Sequence, residues 1–192
     1  MRVVGGSARG VPLRTPKGPG VRPTMDRVRS ALFNILTPLG LEDAAVADFF
    51  AGTGSLGIEA LSRGAAHADF VEAEAQQCTD IRASLQATKL IDRATVLHST
   101  VEKALERMNS KYDFILMDPP YKDPFPAHVL LKLQERRLLE ADAVVVVGHA
   151  SRNAPPAGMG KLILWQDRRY GDSSLAMFTL GSVTERSGES AS

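Results

Sequence analysis

Five short apolar runs punctuate the chain: Ala45 to Phe50, Ala68 to Val71, Thr95 to Leu97, Phe114 to Met117 and Ala143 to Val147. They read as strands with both faces covered, because they are nearly continuous rather than alternating. Helical spacing fits Leu56 to Ser62, Gln76 to Leu90, Val101 to Met108 and Ala127 to Leu133, so strands and helices alternate. That order predicts an α/β fold built on a mostly parallel sheet. A further helix is expected from Thr24, where Val28, Leu32, Ile35 and Leu36 share one face, Thr24 suits the cap and Pro38 with Gly40 ends it. At the other end, "KLILWQDRRYGDSSLAMFTL" predicts an antiparallel hairpin around a "YGDSS" turn. Near the start, Val3-Val4 and Val11 to Leu13 flank a glycine-rich turn and suggest a small hairpin. The expected organisation is an extension over 1–23, one domain over 24–180 and a disordered polar tail over 181–192.

Composition narrows the class. No apolar run approaches the roughly 18 residues of a membrane span, and the default location is the cytoplasm. Cys78 is the single cysteine, which excludes an internal disulfide and a cysteine-based zinc site, and it reads as inert. His67, His98 and His128 lack metal-ligand spacing, so no metal is expected. The net charge of +1 conceals an asymmetry. Residues 1–29 hold seven basic residues against Asp26 alone, whereas the remainder holds 16 basic residues against 21 acids. A basic arm on an acidic body points to a polyanionic partner, with Arg9, Arg22, Arg27 and Arg29 as candidate contacts.

The first strand runs into "ADFFAGTGSLGIEAL". Gly52, Gly54 and Gly57 have the spacing of a dinucleotide-binding turn, and Glu72 closes the next strand, where a carboxylate can accept from ribose hydroxyls. An adenosine-containing cofactor follows, either NAD(P) or S-adenosylmethionine. Asp48, just before the glycines, adds negative charge where a pyrophosphate would sit, and suits a cationic amino group better. This favours S-adenosylmethionine and leaves the choice open.

The fourth strand ends in "DPPY". Two prolines stiffen the backbone and remove two N–H donors. Asp118 and the Pro119 carbonyl then form a rigid set of acceptors, followed by Pro120 and the Tyr121 ring. That set suits an exocyclic amino group on a flat base, with Tyr121 stacking on it. Such a nitrogen is a poor nucleophile, so gripping its hydrogens and aiming its lone pair would carry most of the catalysis. The base must leave its stack to arrive there. The two adjacent acceptor oxygens of Asp118 match the N1–H and 2-amino group of guanine, a weak preference over adenine.

With "DFFAGTGSLG" and "DPPY" together, the chain resembles the class I S-adenosylmethionine-dependent methyltransferases that modify exocyclic amino groups. "RPTMDRVRSALFNIL", "ALSRGAAHADFVE" and "RRYGDSSLAMF" narrow the likeness to the RsmD family, which methylates the 2-amino group of a guanine in bacterial 16S ribosomal RNA. The resemblance covers the chain to about Leu180. It implies a Rossmann-like, seven-stranded sheet with an antiparallel last strand and an N-terminal hairpin extension that meets RNA. It further implies that Asp48, Phe50, Ala51, Gly52, Thr53, Gly54, Gly57, Glu72, Ala73, Thr100, Val101 and Asp118 surround the cofactor. Asp118, Pro119, Pro120 and Tyr121 would hold the target base. The expected partner is 16S ribosomal RNA within a small-subunit assembly, met by a monomer. The chain departs from the family twice. Ser99 and Thr100 stand where an aspartate usually serves the adenine, and Gly148 stands where a glutamate usually precedes the histidine, here His149. A lone histidine at a strand end is more often structural. The rival readings are another amino methyltransferase, acting on DNA adenine or protein glutamine, a non-catalytic RNA-binding protein and, more distantly, an NAD oxidoreductase.

Overall fold

The computed structural model describes residues 1–15, 23–120 and 124–181, with side chains of 23–25 left aside. Tyr121, Arg22 and the tail from 182 onward lie outside the described residues. Five parallel strands form one side of a single sheet, with β3 at its edge: β1 (Ala45–Phe49), β2 (His67–Glu72), β3 (Ala94–His98), β4 (Tyr112–Met117) and β5 (Leu139–Ala150). The sheet continues through β6 (Gly158–Met159), β7 (Leu162–Tyr170) and β8 (Ser173–Leu180) in the order β3-β2-β1-β4-β5-β8-β7-β6. β8 runs against both its neighbours, so the last strand is antiparallel as expected. The two-residue β6 adds an eighth strand at the edge beyond the seven that the resemblance implies.

The helices are α1 (Pro23–Leu36), α2 (Ser55–Ser62), α3 (Ala75–Thr88), α4 (Val101–Leu105) and α5 (Ala127–Glu135). α1 begins at Pro23, so Thr24 lies inside it rather than capping it; proline is well suited to the first helical position. Residues of α1, α2 and α3, such as Phe33, Ile58 and Ile81, pack on one face of the sheet with Val46, Phe70, Phe114 and Met177. On the other face, residues of α4 and α5 cover Phe49, Ile115, Val145 and Phe178. The apolar runs of β1, β2, β4 and β5 therefore report burial on both sides, whereas Thr95 to Leu97 falls on the edge strand β3, none of whose residues is fully buried.

The N-terminal segment is bound into this body. Val3 N–H donates to the Val11 carbonyl and Gly10 N–H to the Val3 carbonyl, so the chain doubles back through the glycine-rich turn. Val3, Ala8 and Leu13 are buried in the α1–α3 side of the core. At the end of α2, Ser62 Oγ donates to the Gly5 carbonyl (2.6 Å) and accepts from Ala8 N–H (2.9 Å). Gly6 is required there: its φ is +73°, and any Cβ would overlap the Ser62 carbonyl.

Candidate active site

The order reverses at β1, between β2 and β4, which places the carboxyl ends of these strands at a topological switch point. Asp48 sits in β1, Glu72 ends β2 and Asp118 follows β4, so the register brings three carboxylates to one edge. Asp48 is 1% exposed, and its Oδ2 accepts from Gly57 N–H at 2.8 Å. Burial pushes its carboxyl well above the usual range. The Gly57 N–H opposes that shift, while Asp118 and Glu72 add to it.

The glycine loop is braced from within. Glu72 Oε2 accepts from Gly52 N–H (2.7 Å) and its Oε1 from Glu74 N–H (2.8 Å). Ala51 N–H donates to the Val71 carbonyl, and Gly54 N–H to that of Ala51. Gly52 and Gly54 have φ of +55° and +71°, and so does Phe50 at +57°, a conformation that costs a phenylalanine strain. Gly57 serves packing instead: a Cβ would lie 2.7 Å from Phe70 Cζ and about as tightly against the rest of that ring. Thr53 faces the first residue of the chain, with Oγ1 3.7 Å from Met1 Sδ. Ala73, just beyond Glu72, holds its carbonyl 3.0 Å from His98 Nε2, which ties the end of β3 to the loop after β2. Thr100 caps α4 by accepting from Lys103 N–H at 3.4 Å, and Val101 is buried behind it. Cys78 is buried below this edge, with Sγ 3.4 Å from the Glu72 carbonyl, and burial raises its thiol pKa.

Beside Asp118 lies a recess lined by Pro119, Pro120, Phe125, Gly148, His149 and Asn153. Pro119 is buried while Asp118 and Pro120 are exposed, so the turn is anchored in the fold and presented to solvent. Gly148 is the residue opposite: a Cβ there would overlap Asp118 Oδ1 and lie 3.3 Å from Asp118 Cγ. The glycine that departs from the family pattern thus gives room to the Asp118 carboxylate. His149 is buried and held: Nε2 is 3.0 Å from Asp167 Oδ1, Nδ1 is 3.1 Å from the Ala150 carbonyl, and the Phe125 ring meets it edge-on. It forms the wall of the recess.

The basic arm divides. Arg9 and Arg27 are exposed. Arg29 is not a surface contact: it is 3% exposed, with Nη2 donating to Asp26 (2.9 Å) and to the Arg2 carbonyl (2.5 Å) and Nε 3.5 Å from Glu59. Glu59, fully buried in α2, also accepts from Val4 N–H (2.8 Å) and pairs with Arg63 (2.8 Å). Glu59 thereby ties the N-terminal segment to α1 and α2. The expectation that Arg29 meets RNA is corrected by this interior ion pair. Glu59 escaped the sequence reading because a glutamate in an amphipathic helix ordinarily faces solvent. Among the described residues, no group of three metal-ligating side chains converges, and no helix is long and apolar enough to cross a membrane.

The strand order, the switch-point carboxylates and the glycine loop define a Rossmann-like fold of the class I methyltransferase type. The chain belongs to the RsmD family: the family model described as Conserved hypothetical protein 95 matches residues 1–179. It is 33% identical over 181 residues to the Ribosomal RNA small subunit methyltransferase D of Escherichia coli strain K12, covering 93% of this chain and 89% of that one. Among solved structures, the yhhF protein of Escherichia coli superposes with a TM-score of 0.83 and 30% identity over 94% of this chain and 97% of that one. A protein of Thermus thermophilus gives 0.78 at 29% identity, over 92% and 98%.

Proposed function

We propose that the chain transfers a methyl group from S-adenosylmethionine to the 2-amino group of a guanine in 16S ribosomal RNA. The observation that carries the cofactor reading is the charge at the switch point. Asp48, Glu72 and Asp118 share one edge, and Asp48 accepts the Gly57 N–H at the start of α2. A pyrophosphate would need that helix end and would meet three carboxylates. A ligand carrying a cationic amino group, a sulfonium and a ribose meets complementary groups instead. Glu72 keeps acceptor capacity for ribose hydroxyls beyond its two backbone bonds, since a carboxylate offers about four lone-pair sites. The loop itself needs Gly52 for its backbone, since the φ of +55° there strains any residue with a side chain.

S-adenosylmethionine, when bound, supplies an electrophilic methyl group. Asp118 and the Pro119 carbonyl accept the hydrogens of the 2-amino group and orient its lone pair. The second Asp118 oxygen accepts the guanine N1–H. Attack of the 2-amino nitrogen on that methyl group would displace S-adenosylhomocysteine as the S–C bond breaks, and the nitrogen, then cationic, would give its proton to Asp118 or to water. A neutral exocyclic amine is too weak an acid for a carboxylate to deprotonate, so that proton leaves only after the new bond has formed. The substrate reading is supported by the family and by the name of the Escherichia coli relative. Exposed Arg9 and Arg27 would meet the RNA, a small-subunit assembly is the natural setting, and a monomer suffices.

The test is Asp118→Ala. Methyl transfer to unmethylated small ribosomal subunits is expected to vanish, while binding of S-adenosylhomocysteine stays within a few-fold of the parent. An equally active variant would remove Asp118 from the mechanism.

A further inference from the structure

Strand register carries a second consequence for the substrate, and it rests on the RNA reading above. Met117 pairs with Val147, so Asp118 lies beside Gly148, which it contacts. Gly148 pairs with Leu175 of β8, and Leu175 pairs with Arg168 of β7. Asp118, Gly148, Leu175 and Arg168 therefore form one lateral row across four strands. Paired residues share a face, and this is the face that carries the α1–α3 side of the core, of which Leu175 is part. Three strand spacings separate the ends of the row, about 14 Å. Tyr170 stands on the same face two residues on, half-buried against the same core and nearer the catalytic edge, since its partner Ser173 pairs with Ala150 at the end of β5.

Arg168 is exposed, and its Nε donates to Gln166 Oε1 at 2.8 Å, which fixes the guanidinium plane. Arg169 lies on the opposite face: its partner Ser174 shares a row with His149. Its Nε donates to the Gly171 carbonyl. An exposed arginine and a half-buried aromatic ring two residues apart on one face of a strand suit single-stranded nucleic acid, the cation taking a phosphate and the ring a base. We infer that Arg168 and Tyr170 form a second RNA contact, which holds the strand flanking the nucleotide gripped by Asp118. α1, with exposed Arg27, bounds the same face, so the RNA path runs over the sheet edge between α1 and the β7–β8 turn.

The test compares Arg168→Gln with Arg169→Gln, one strand position and one sheet face apart. RNA binding is titrated over a range of salt with unmethylated small-subunit RNA, and cofactor binding is followed in parallel. Arg168→Gln is expected to weaken RNA binding about tenfold and to reduce the slope of log affinity against log salt by about 0.7, the loss of one single-strand phosphate contact. Cofactor affinity should stay unchanged, and Arg169→Gln should match the parent in both. Equal effects of the two substitutions, or none from Arg168→Gln, overturn the assignment. A parent protein that binds RNA and loses affinity with Arg168→Gln, yet methylates no guanine, would leave this surface standing and remove the reaction assigned above. A parent that binds no RNA would remove both.

Discussion

Gly148→Ala separates the geometry of Asp118 from its presence. An added Cβ would overlap Asp118 Oδ1, while the next backbone atom, the Met117 carbonyl oxygen, stays at 3.5 Å. The yielding atom is thus the far end of an exposed side chain, not the sheet. Oδ1 must withdraw by about 1 Å to reach an ordinary van der Waals separation. Misplacement of a catalytic group by that amount can cost about 100-fold in rate. Stability should change by no more than about 0.5 kcal/mol, because no buried group is displaced. The assay is the single-turnover rate of methyl transfer at saturating cofactor, with urea unfolding and cofactor binding as controls. A Gly148→Ala enzyme with the parent's rate would refute the claim that this glycine sets the position of Asp118.

Three other outcomes follow from the same geometry. Glu59→Ala leaves Arg29 with Asp26 as its remaining carboxylate and strips the Val4 N–H and Arg63 of their acceptor, and should cost about 1–3 kcal/mol in urea unfolding; a loss below about 0.5 kcal/mol would show the Glu59 contacts to be incidental. Asp48 is held above the usual carboxylate range by burial, so the folded chain binds its proton more readily than the unfolded chain. Its contribution to stability therefore falls as pH rises from the unfolded value near ~3.9 through the raised one. Cofactor affinity should run the opposite way and weaken as pH falls through the raised value. Asp48→Asn, which still accepts the Gly57 N–H, should flatten that affinity profile, and an unaltered profile would contradict pairing with the cofactor's amino group. Arg27→Glu should weaken RNA binding in a salt-dependent way with normal folding, whereas Arg29→Glu should unfold the protein; equal, purely binding effects would place Arg29 at the surface after all.

The central strands were legible because burial on both faces leaves continuous apolar runs, and β1 and β4 fall within a residue or two of the runs that predicted them. The glycine loop and Asp118 were legible because their chemistry is local to a few residues. What the sequence hid was long-range. Arg29 looks like part of a basic arm, and only the placement of Glu59 thirty residues later, facing inward, makes it an interior cation. Gly148 stood out as a departure, but its meaning depends on β4 and β5 lying side by side. Asp48 was read as a ligand to the cofactor. The structure shows it fastening the helix start, which only the turn geometry reveals. β6 is two residues long, too short for any periodicity to register.

The most direct measurement is transfer of labelled methyl from S-adenosylmethionine to unmethylated small ribosomal subunits, their naked RNA and duplex DNA, followed by nucleoside analysis. The account predicts N2-methylguanosine in the ribosomal RNA and no label in DNA. Label in adenine, in DNA or in no nucleic acid would contradict it.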